Sequence, residues 1–571
     1  MRPPSSVRSV FTAGAVLTAM LSPITGWSQG LPSQQDHPAQ SRPPLPDLPP
    51  LDESDQSGLL PRSPLPETPD TEGLAAGHSV FVREIRLEGN TVLSELETQN
   101  LVAPYLQREN SFAELAALRD SLTRLYISRG YLNSGAVIPV QTVTDGVVTI
   151  QMMEGRLGAI EYSTDGRFRE QTILRRLRRG LTDPLNVNQL EQQLQVLQQD
   201  DRIDRVQAAL VPGEERGVSK LRLQLLENRP VRVSLQVDNY ESPSVGAEAA
   251  RIQVAHTNVS GAGDRIEAGY DRTEGLTAVS GRYLLPLVVK DMSLDFRAKE
   301  SKSDVIEAPF DKLDIESESR SYGLTLRYPL NHTAARSASL SATAEYRRSD
   351  SFLLGSPFAF GLGAEEGVSK VAVLRLGYEW SHRSRKQALA ARAVLSRGLD
   401  ALGSTIHSGE IPDSEFTSAL LQAQWARRLS FWNAQVSARG DMQLSDASLL
   451  GLEQFALGGH NTVRGYREST LVRDQGWVTS LEVKVPLFFQ ETGGRRGVEV
   501  GTFLDHGRAW NRERATAEEQ YLSSVGLAGR WMINRYLDVQ LEWAKRRKDV
   551  PDSPSHDLQD EGVHVRVSAV Y

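Results

Sequence analysis

The sequence of 571 residues contains no cysteine, and only 7% of its residues are aromatic. Without cysteine, the chain can form neither a disulfide framework nor a thiolate metal site. This absence suits an envelope protein that crosses an oxidising periplasm, although many cytosolic proteins share it. Basic residues are fewer than acidic ones, 64 against 72, and the net charge of −8 argues against a nucleic-acid-binding surface.

Long apolar runs are also missing from most of the chain. Beyond the N-terminal region, no segment approaches the roughly twenty apolar residues that a transmembrane helix needs, so the chain can cross a membrane only as strands. At the N-terminus, two arginines precede an apolar run from Val10 to Leu21, and the small residues Gly26 and Ser28 stand where a signal peptidase would cut. This pattern predicts a Sec signal peptide over residues 1–28. An anchor helix is disfavoured because the run is too short to span a bilayer.

Residues 29–77 are rich in Pro, Ser, Asp and Gln, with "SRPPLPDLPPLDESD" at their centre. Proline at this density prevents helix and sheet and favours an extended conformation. Two interpretations are open, a ligand for a proline-recognition domain or a semi-rigid spacer. We expect a Pro-rich periplasmic linker.

The pattern changes to a small α+β unit over residues 78–155. "FVREIRLEG" alternates like a strand, and Ser94 with Glu97 and Ser111 with Glu114 have the spacing of capping boxes, which predicts two helix starts. "AVIPVQTV" and "VVTIQMMEG" predict two further strands. The expected order of elements is therefore β-α-α-β-β.

The same order recurs over residues 156–228. "GAIEYS" predicts a strand, "REQTILRRLRRGL" and "NQLEQQLQVLQQ" predict helices, and "RVQAALV" and "KLRLQLLE" predict two more strands. We interpret this as a repeated mixed-sheet module used in series. The alternative, two unrelated α+β domains, is less economical.

Helical periodicity disappears from residue 229 to residue 571. Segments such as "MSLDFRAKE" alternate apolar and polar residues, and we count about sixteen of them. A soluble sandwich also alternates, so connection lengths decide between the two. Connections after strands 5, 7, 9, 11, 13 and 15 are roughly fifteen to thirty residues, and those after strands 2, 4, 6, 8, 10, 12 and 14 are roughly ten or fewer. The connection after strand 3 is shorter than its side predicts. These lengths predict a sixteen-stranded transmembrane barrel with long loops outside and short turns inside.

Prolines and the last residue fit this arrangement. Pro286, Pro329 and Pro486 fall at the ends of even strands, where proline is tolerated. The chain therefore enters and leaves the barrel on the short-turn side, so both modules should lie in the periplasm. The final strand, "GVHVRVSAVY", ends on Tyr571, an aromatic residue suited to a membrane interface and similar to the terminal signal that outer-membrane assembly machinery reads.

Two motifs stand out within the predicted barrel. "GGHNTVRGYRE" lies in the longest connection, and "FLDHG" lies two strands further on. An arginine in a restricted lumen needs an acceptor, and a carboxylate matches its planar fork. We therefore expect Arg464 to meet Asp505, with Gly465 permitting close backbone approach and Tyr466 packing on the lumen wall.

The chain here resembles the outer-membrane transporters of two-partner secretion, the haemolysin and filamentous haemagglutinin secretion and activation proteins. The resemblance covers two POTRA (polypeptide-transport-associated) modules, a sixteen-stranded barrel, "VRGY" in the sixth long loop and "FxDxG" on strand 13. It implies that the loop folds into the barrel and that its arginine pairs with the strand aspartate. One departure is the proline content of residues 29–77, which does not suit the plug helix that many members carry. The motif residues are Val463, Arg464, Gly465, Tyr466, Phe503, Asp505 and Gly507.

The resemblance also implies a function. A secreted, haemolysin- or adhesin-like exoprotein would arrive unfolded in the periplasm of a Gram-negative bacterium, dock its N-terminal secretion domain on the POTRA modules and leave through the barrel. Docking would use strand addition to a sheet edge, such as "AVIPVQTV" or "RVQAALV", or a groove along an amphipathic helix. Outer-membrane lipid and the barrel assembly machinery are further expected partners. We expect no catalytic residues, cofactor, metal or nucleic acid.

Two other functions share parts of this pattern. An outer-membrane protein insertase or assembly factor has the same modules, barrel and loop motif, but such proteins typically carry more than two POTRA modules. A diffusion porin or a surface adhesin has no need of periplasmic protein-docking units, and the loop motif would be unexplained. Secretion of a partner protein is therefore the preferred interpretation.

Overall fold

The computed structural model describes residues 45, 46, 48, 60, 79–490, 496–512, 520–550 and 555–571. The predicted signal peptide and nearly all of the predicted linker lie outside these residues. Among the described helices, none is both long and apolar enough to cross a bilayer.

The first module has the predicted β-α-α-β-β order with one added two-stranded sheet. Its elements are β1 (Ser79–Val82), β2 (Glu84–Glu88), α1 (Glu95–Val102), β3 (Arg108–Ser111), α2 (Phe112–Ser128), β4 (Gly135–Val137) and β5 (Val147–Met153). The sheet order is β2-β5-β4, and β1 pairs separately with β3. Leu118, Leu122 and Tyr126 of α2 are fully buried against this sheet, and both predicted capping boxes are present. The strand predicted from "AVIPVQTV" stops at Val137, because Pro139 has no N–H to continue the ladder.

The second module repeats this architecture. Its elements are β6 (Arg156–Thr164), α3 (Glu170–Arg178), α4 (Val187–Gln198), β7 (Ile203–Pro212) and β8 (Val218–Glu227). The sheet order is β6-β8-β7, with β6 parallel and β7 antiparallel to β8, as β2 and β4 are to β5. Ile173, Leu177, Leu190 and Leu194 form the helical side of its core, and Leu60 from the segment before the first module packs into the same cluster.

The rest of the chain forms a closed antiparallel barrel of sixteen strands within the described residues. The strands are β9 (Val231–Asp238), β10 (Ala249–His256), β11 (Arg265–Arg272), β12 (Leu276–Pro286), β13 (Ser293–Asp304), β14 (Ile315–His332), β15 (Arg336–Leu353), β17 (Val368–Arg383), β18 (Gln387–Leu399), β19 (Thr417–Arg428), β20 (Gln435–Ser445), β23 (Gln475–Gln490), β24 (Arg496–Trp510), β25 (Tyr521–Met532), β26 (Leu537–Arg546) and β27 (Val563–Val570). A two-residue strand, β16 (Ser356–Pro357), folds back on β15. The barrel closes where β27 pairs with β9.

Side chains alternate between the two faces of the barrel wall. On β26, Leu541 and Trp543 are about half exposed on the outside, whereas Glu542 between them is buried in the lumen. On β25, Leu527 is exposed outside and Ser524 is buried inside. The outer surface is therefore apolar and the lumen polar, as a barrel surrounded by lipid requires.

Two of the connections on the long side are shorter than predicted. Those over 305–314 and 511–520 fall below the predicted fifteen to thirty residues, because strands beside them extend far along the chain. β14 and β15, for example, each contain 18 residues. The predicted contrast between long and short sides is otherwise present, with turns such as 333–335 and 384–386 on the short side.

The second module contacts the short-turn side of the barrel. The backbone N–H of Arg169 donates to the carbonyl of Gly261 at 2.9 Å, and Arg202 donates to the carbonyl of Gly263. Arg202 also pairs with Asp200. Burial raises the pKa of Asp200, but its pairs with Arg202 and Arg176 outweigh burial and leave the pKa lowered. The carboxylate thus stays ionised and anchors the arginine that reaches the barrel.

One described residue of the predicted linker contacts the barrel interior. The carbonyl of Pro46 accepts a hydrogen bond of 3.0 Å from Nε2 of Gln424. Gln424 lies on the same face of β19 as Gln422, which is buried in the lumen. The chain before the first module therefore contacts the lumen wall at Pro46 and the second module at Leu60.

Glu114 offers a test of the second capping box. The backbone N–H and hydroxyl of Ser111 and the guanidinium of Arg108 bind its carboxylate, and they lower its pKa to about 2. A lowered carboxyl pKa stabilises the folded state above the ordinary value, and this stability is lost as pH falls toward 2. In Glu114→Gln, amides of α2 should lose hydrogen-exchange protection at pH 7, and the difference from wild type should shrink between about pH 4.5 and pH 2.

The matched control is Glu88→Gln. Glu88 is exposed and makes no ion pair within the described chain. Equal protection of α2 in all three proteins at pH 7 would show that the box does not stabilise the helix.

Candidate functional site

The longest connection, 446–474, folds into the lumen. It contains a short hairpin of β21 (Phe455–Leu457) and β22 (Leu471–Arg473), and it reverses direction at Gly458 and Gly459, whose φ angles of 111° and 97° favour glycine. Five of its side chains are buried in one apolar cluster with Val478, Ala509 and Leu522 of the barrel wall. They are Phe455, Leu457, Val463, Tyr466 and Leu471. The loop is therefore packed against strands β23 to β25.

Arg464, at the tip of the loop, forms a two-pronged ion pair with Asp505 of β24. Its Nε lies 2.8 Å from Oδ2 and its Nη2 lies 2.9 Å from Oδ1, while its backbone N–H donates to Oδ2 at 3.1 Å. Arg464 is 4% exposed and Asp505 is fully buried. Its guanidinium also lies 3.4 Å from the ring centroid of Phe503. A planar guanidinium held by both oxygens and stacked on a ring has little freedom to reorient.

Two further carboxylates surround the same guanidinium. Nη1 of Arg464 lies 3.2 Å from Oε1 of Glu542 on β26 and 3.5 Å from Oε1 of Glu482 on β23. Nη2 donates to the hydroxyl of Ser480 at 3.1 Å. Glu542 is also bound by His460 of the loop, at 2.9 Å from Nδ1 to Oε2. Three carboxylates from three strands thus meet one arginine.

Gly465 of the loop motif and Gly507 of the β24 motif allow the loop to approach the barrel wall closely. A Cβ on Gly465 would lie 2.7 Å from Cβ of Ala544, and the φ angle of Gly465 is 89°. A Cβ on Gly507 would lie 2.7 Å from Cδ1 of Leu457. Either contact is too short for a side chain, so glycine is needed at both positions.

Tyr466 fixes the loop by its hydroxyl group. The ring is fully buried, and the hydroxyl donates toward the carbonyls of Ser523 and Lys548, at 2.9 and 2.8 Å. Beside it, the backbone N–H of Gly465 donates to Nε2 of His564 on β27 at 3.3 Å. The tip therefore contacts every wall strand from β23 to β27.

Arg467 ties the loop to two other long loops. Its Nε lies 2.6 Å from Oδ1 of Asp560, and its Nη1 lies 2.6 Å from Oε1 of Glu307. Hydrogen bonding to Asp560, reinforced by Glu307, raises the pKa of Arg467 despite partial burial. This side chain thus remains charged and links three loops on the same side of the barrel.

The structure places the seven predicted motif residues together and Tyr571 apart from them. Tyr571 is exposed on the short-turn side, where its backbone N–H and carbonyl pair with Val233, and its hydroxyl accepts from Arg229 at 2.9 Å. Glu542 and His460 were not predicted from the sequence. Alternation in "LEWA" put Glu542 on the polar face, but only the fold shows which inward carboxylate meets the loop.

The fold and this site together define an outer-membrane barrel that carries POTRA modules. Residues 217–530 match the model of the haemolysin secretion/activation protein family ShlB/FhaC/HecB, and residues 80–155 match the ShlB-type POTRA domain. The first match covers more than half of the chain. The chain therefore belongs to the ShlB/FhaC/HecB family.

Similar proteins that align with most of the chain are also named as transporters. The outer membrane transporter CdiB of Dickeya dadantii is 23% identical over 471 residues, which cover 80% of this chain and 82% of that protein. The hemolysin transporter protein ShlB of Serratia marcescens is 26% identical, with 74% and 75% covered. The solved structure of CdiB from Escherichia coli shares the fold, with a TM-score of 0.67, 23% identity and coverage of 89% and 94%.

The chain is thus an outer-membrane transporter of the two-partner secretion type, with its N-terminal modules in the periplasm. The long-loop side of the barrel, which holds Arg467 and its partners, is then the extracellular side.

A double-mutant cycle tests the energetic coupling of Arg464 and Asp505. We expect Arg464→Ala and Asp505→Asn each to destabilise the folded barrel, and the double variant to lose less than the sum by about 1 kcal/mol or more, because the two charges share one interaction. The measurement is the free energy of unfolding of the purified barrel, from urea titrations followed by the loss of its folded electrophoretic mobility. The control is Thr325→Ala, which removes a hydrogen bond to Thr343 on strands β14 and β15, away from Arg464. Its loss of stability should add to that of Arg464→Ala. Additive losses for Arg464 and Asp505 would contradict the coupling.

Proposed function

We propose that this protein recognises one unfolded exoprotein in the periplasm and carries it through the barrel to the cell surface or the medium. The observation that carries the proposal is the inward loop whose tip is held by the Arg464–Asp505 pair, in a chain that belongs to a family of transporters. The loop fills the lumen beside β23 to β25, so an exported chain requires it to move. The buried charges hold the loop until a partner displaces it.

The modules supply the docking surfaces. The second module lies at the short-turn end of the barrel through Arg169 and Arg202, so a segment bound there starts next to the pore. The partner is a haemolysin- or adhesin-like exoprotein with an N-terminal secretion domain, by analogy with ShlB, which is named as a hemolysin transporter. Transport involves no catalysed reaction, and folding of the exoprotein outside the cell drives it forward.

The remaining expected partners follow from the barrel. Lipid covers the apolar outer face, and the assembly machinery reads the strand that ends at Tyr571. We propose the division into a signal peptide (1–28), linker (29–77), two POTRA modules (78–155 and 156–228) and barrel (229–571), with no nucleic-acid partner. The family match does not favour the alternative of an insertase.

The first experiment compares the medium and cell-surface proteomes of bacteria with and without this gene. Loss of one large exoprotein, with other outer-membrane proteins unchanged, is the expected result and identifies the partner. Broad depletion of barrel proteins would indicate an insertase, and an unchanged proteome would contradict a role in secretion.

Arg464→Ala tests the role of the loop. We expect export to fall at least tenfold while the barrel remains inserted, because the loop loses its main anchor to Asp505, Glu542 and Glu482. The readout is the exoprotein in the medium, normalised to the folded barrel in the outer membrane. The matched control is Arg473→Ala, because Arg473 lies in the same loop and its side chain, among the described residues, donates only to the neighbouring carbonyl of Val472. Wild-type export by Arg464→Ala would contradict the proposed role of the loop. The charge swap, Arg464→Asp with Asp505→Arg, tests whether the two side chains pair directly.

A further inference from the structure

Three positively charged residues stand side by side on the outer face of the barrel. Arg320 of β14 lies directly opposite Arg348 of β15, and Arg348 lies directly opposite Lys370 of β17. Residues paired in this way point to the same side of the sheet. We call Arg320, Arg348 and Lys370 the cation row. Like charges directly opposite each other destabilise a sheet, so the arrangement favours an anion beside the row.

The cation row lies just beyond the apolar band of the barrel, on the extracellular side. One two-residue step closer to the short turns, the exposed Tyr322 lies opposite Tyr346 on the same face. Tyr328 and Tyr378 share a row at the other end of this band. From Tyr322 to Tyr328 the strand rises about 20 Å, close to the roughly 25 Å apolar band between aromatic girdles in such barrels. The cation row therefore lies at the level of lipid headgroups.

Neighbouring carboxylates occupy only part of the two arginines. Nε of Arg320 lies 2.9 Å from Oε1 of Glu300, and its Nη2 lies 3.4 Å from Oε2 of Glu318. Nε and Nη2 of Arg348 both bind Asp350, at 2.8 Å to Oδ2 and 2.6 Å to Oδ1. Within the described residues, Nη1 of each arginine makes no hydrogen bond.

The cation row keeps donors for a further anion. The side chains of Arg320 and Arg348 are 39% and 38% exposed, so their ion pairs are only weakly stabilising in water. In the part of the chain that the structure describes, Lys370 forms no ion pair. Adjacent strands are roughly 5 Å apart, so two guanidinium groups and one ammonium group lie within reach of the same phosphate or of two neighbouring ones.

A lone arginine elsewhere on the barrel shows how the cation row differs. Arg272 of β11 follows the exposed Tyr270 by one two-residue step on the lipid-facing side, as Arg320 does with Tyr322. Its neighbours across the two adjacent strands are Ala250 and Thr277, which carry no charge. Arg272 therefore matches the depth of the cation row and lacks its neighbouring cations.

We propose that the cation row binds the phosphate groups of a phosphorylated glycolipid in the outer leaflet of the outer membrane. The charge of the row is complementary to phosphate, and the surface below it continues into the apolar band that acyl chains cover. The tyrosines Tyr322 and Tyr346 lie at the boundary between the two parts of such a lipid. This site is independent of the exported partner, because it faces the membrane and not the lumen.

Lys370→Gln tests the site, because it removes one charge of the row without leaving a carboxylate unpaired. The full-length protein, purified in detergent, is titrated with fluorescent lipopolysaccharide. We expect Lys370→Gln to weaken binding about fivefold or more, and Lys370→Arg, which keeps the charge, to stay within about twofold of wild type. The matched control, Arg272→Gln, should also stay within about twofold. Equal binding by wild type and Lys370→Gln would overturn the proposal.

A second variant separates the cation row from a general attraction of charges. Arg348→Gln combined with Asp350→Asn removes one positive and one negative charge, so the net charge of the protein stays the same. We expect binding to weaken about fivefold or more, because the central cation of the row is lost. The folded electrophoretic mobility shows that the barrel is intact. Wild-type binding by this folded double variant would refute a site built from the row.

Competition identifies the source of the phosphate. Unlabelled lipopolysaccharide should displace the probe, and the same lipid after removal of its phosphate groups should compete at least tenfold less well, because the row then has no anion to bind. Equal competition by phosphatidylglycerol micelles would contradict an outer-leaflet glycolipid as the partner. Displacement by inorganic phosphate at an equal concentration would show a site for small anions and would also overturn the proposal.

Discussion

Burial of one charged arginine in the lumen is the constraint on which the loop arrangement depends. The guanidinium of Arg464 stays protonated at any physiological pH, so it can be buried only where carboxylates surround it. Three strands supply them, and Asp505 makes the two-pronged contact. The small size of Gly465 and the ring of Phe503 serve the same placement, because they let the guanidinium reach its partners. The position of the tip thus follows from the position of one charge.

The backbone groups at the edge of a sheet find their hydrogen-bond partners differently in lipid and in water. Within the bilayer no edge is tolerated, and the barrel closes by pairing β27 with β9. In the aqueous modules an edge is permitted, and glutamine amides at Gln141 and Gln198 act as substitutes for strand partners. The two modules share one architecture, and each covers part of its sheet edge with a side chain.

Much of this fold follows from period-two alternation, capping boxes and turn lengths, because these are local properties of a sequence. Pro139 shows where local analysis failed: we assigned a strand to apolar residues although the proline could not donate. The Arg464–Asp505 contact was predicted from chemistry and from resemblance. Glu542 and His460 were missed, because no sequence pattern states which inward residues of distant strands share one depth in the lumen. Only barrel closure and register bring them together.

The excess of carboxylates around Arg464 has a consequence for small ions. With the loop in place, one guanidinium partly neutralises Asp505, Glu482 and Glu542. When the loop withdraws, its positive charge leaves with it, and three carboxylates remain on the wall at similar depth. Such a patch of negative charge attracts cations and repels anions. We therefore expect this part of the open lumen to favour cations, and a basic stretch of polypeptide to pass it more readily than an acidic one.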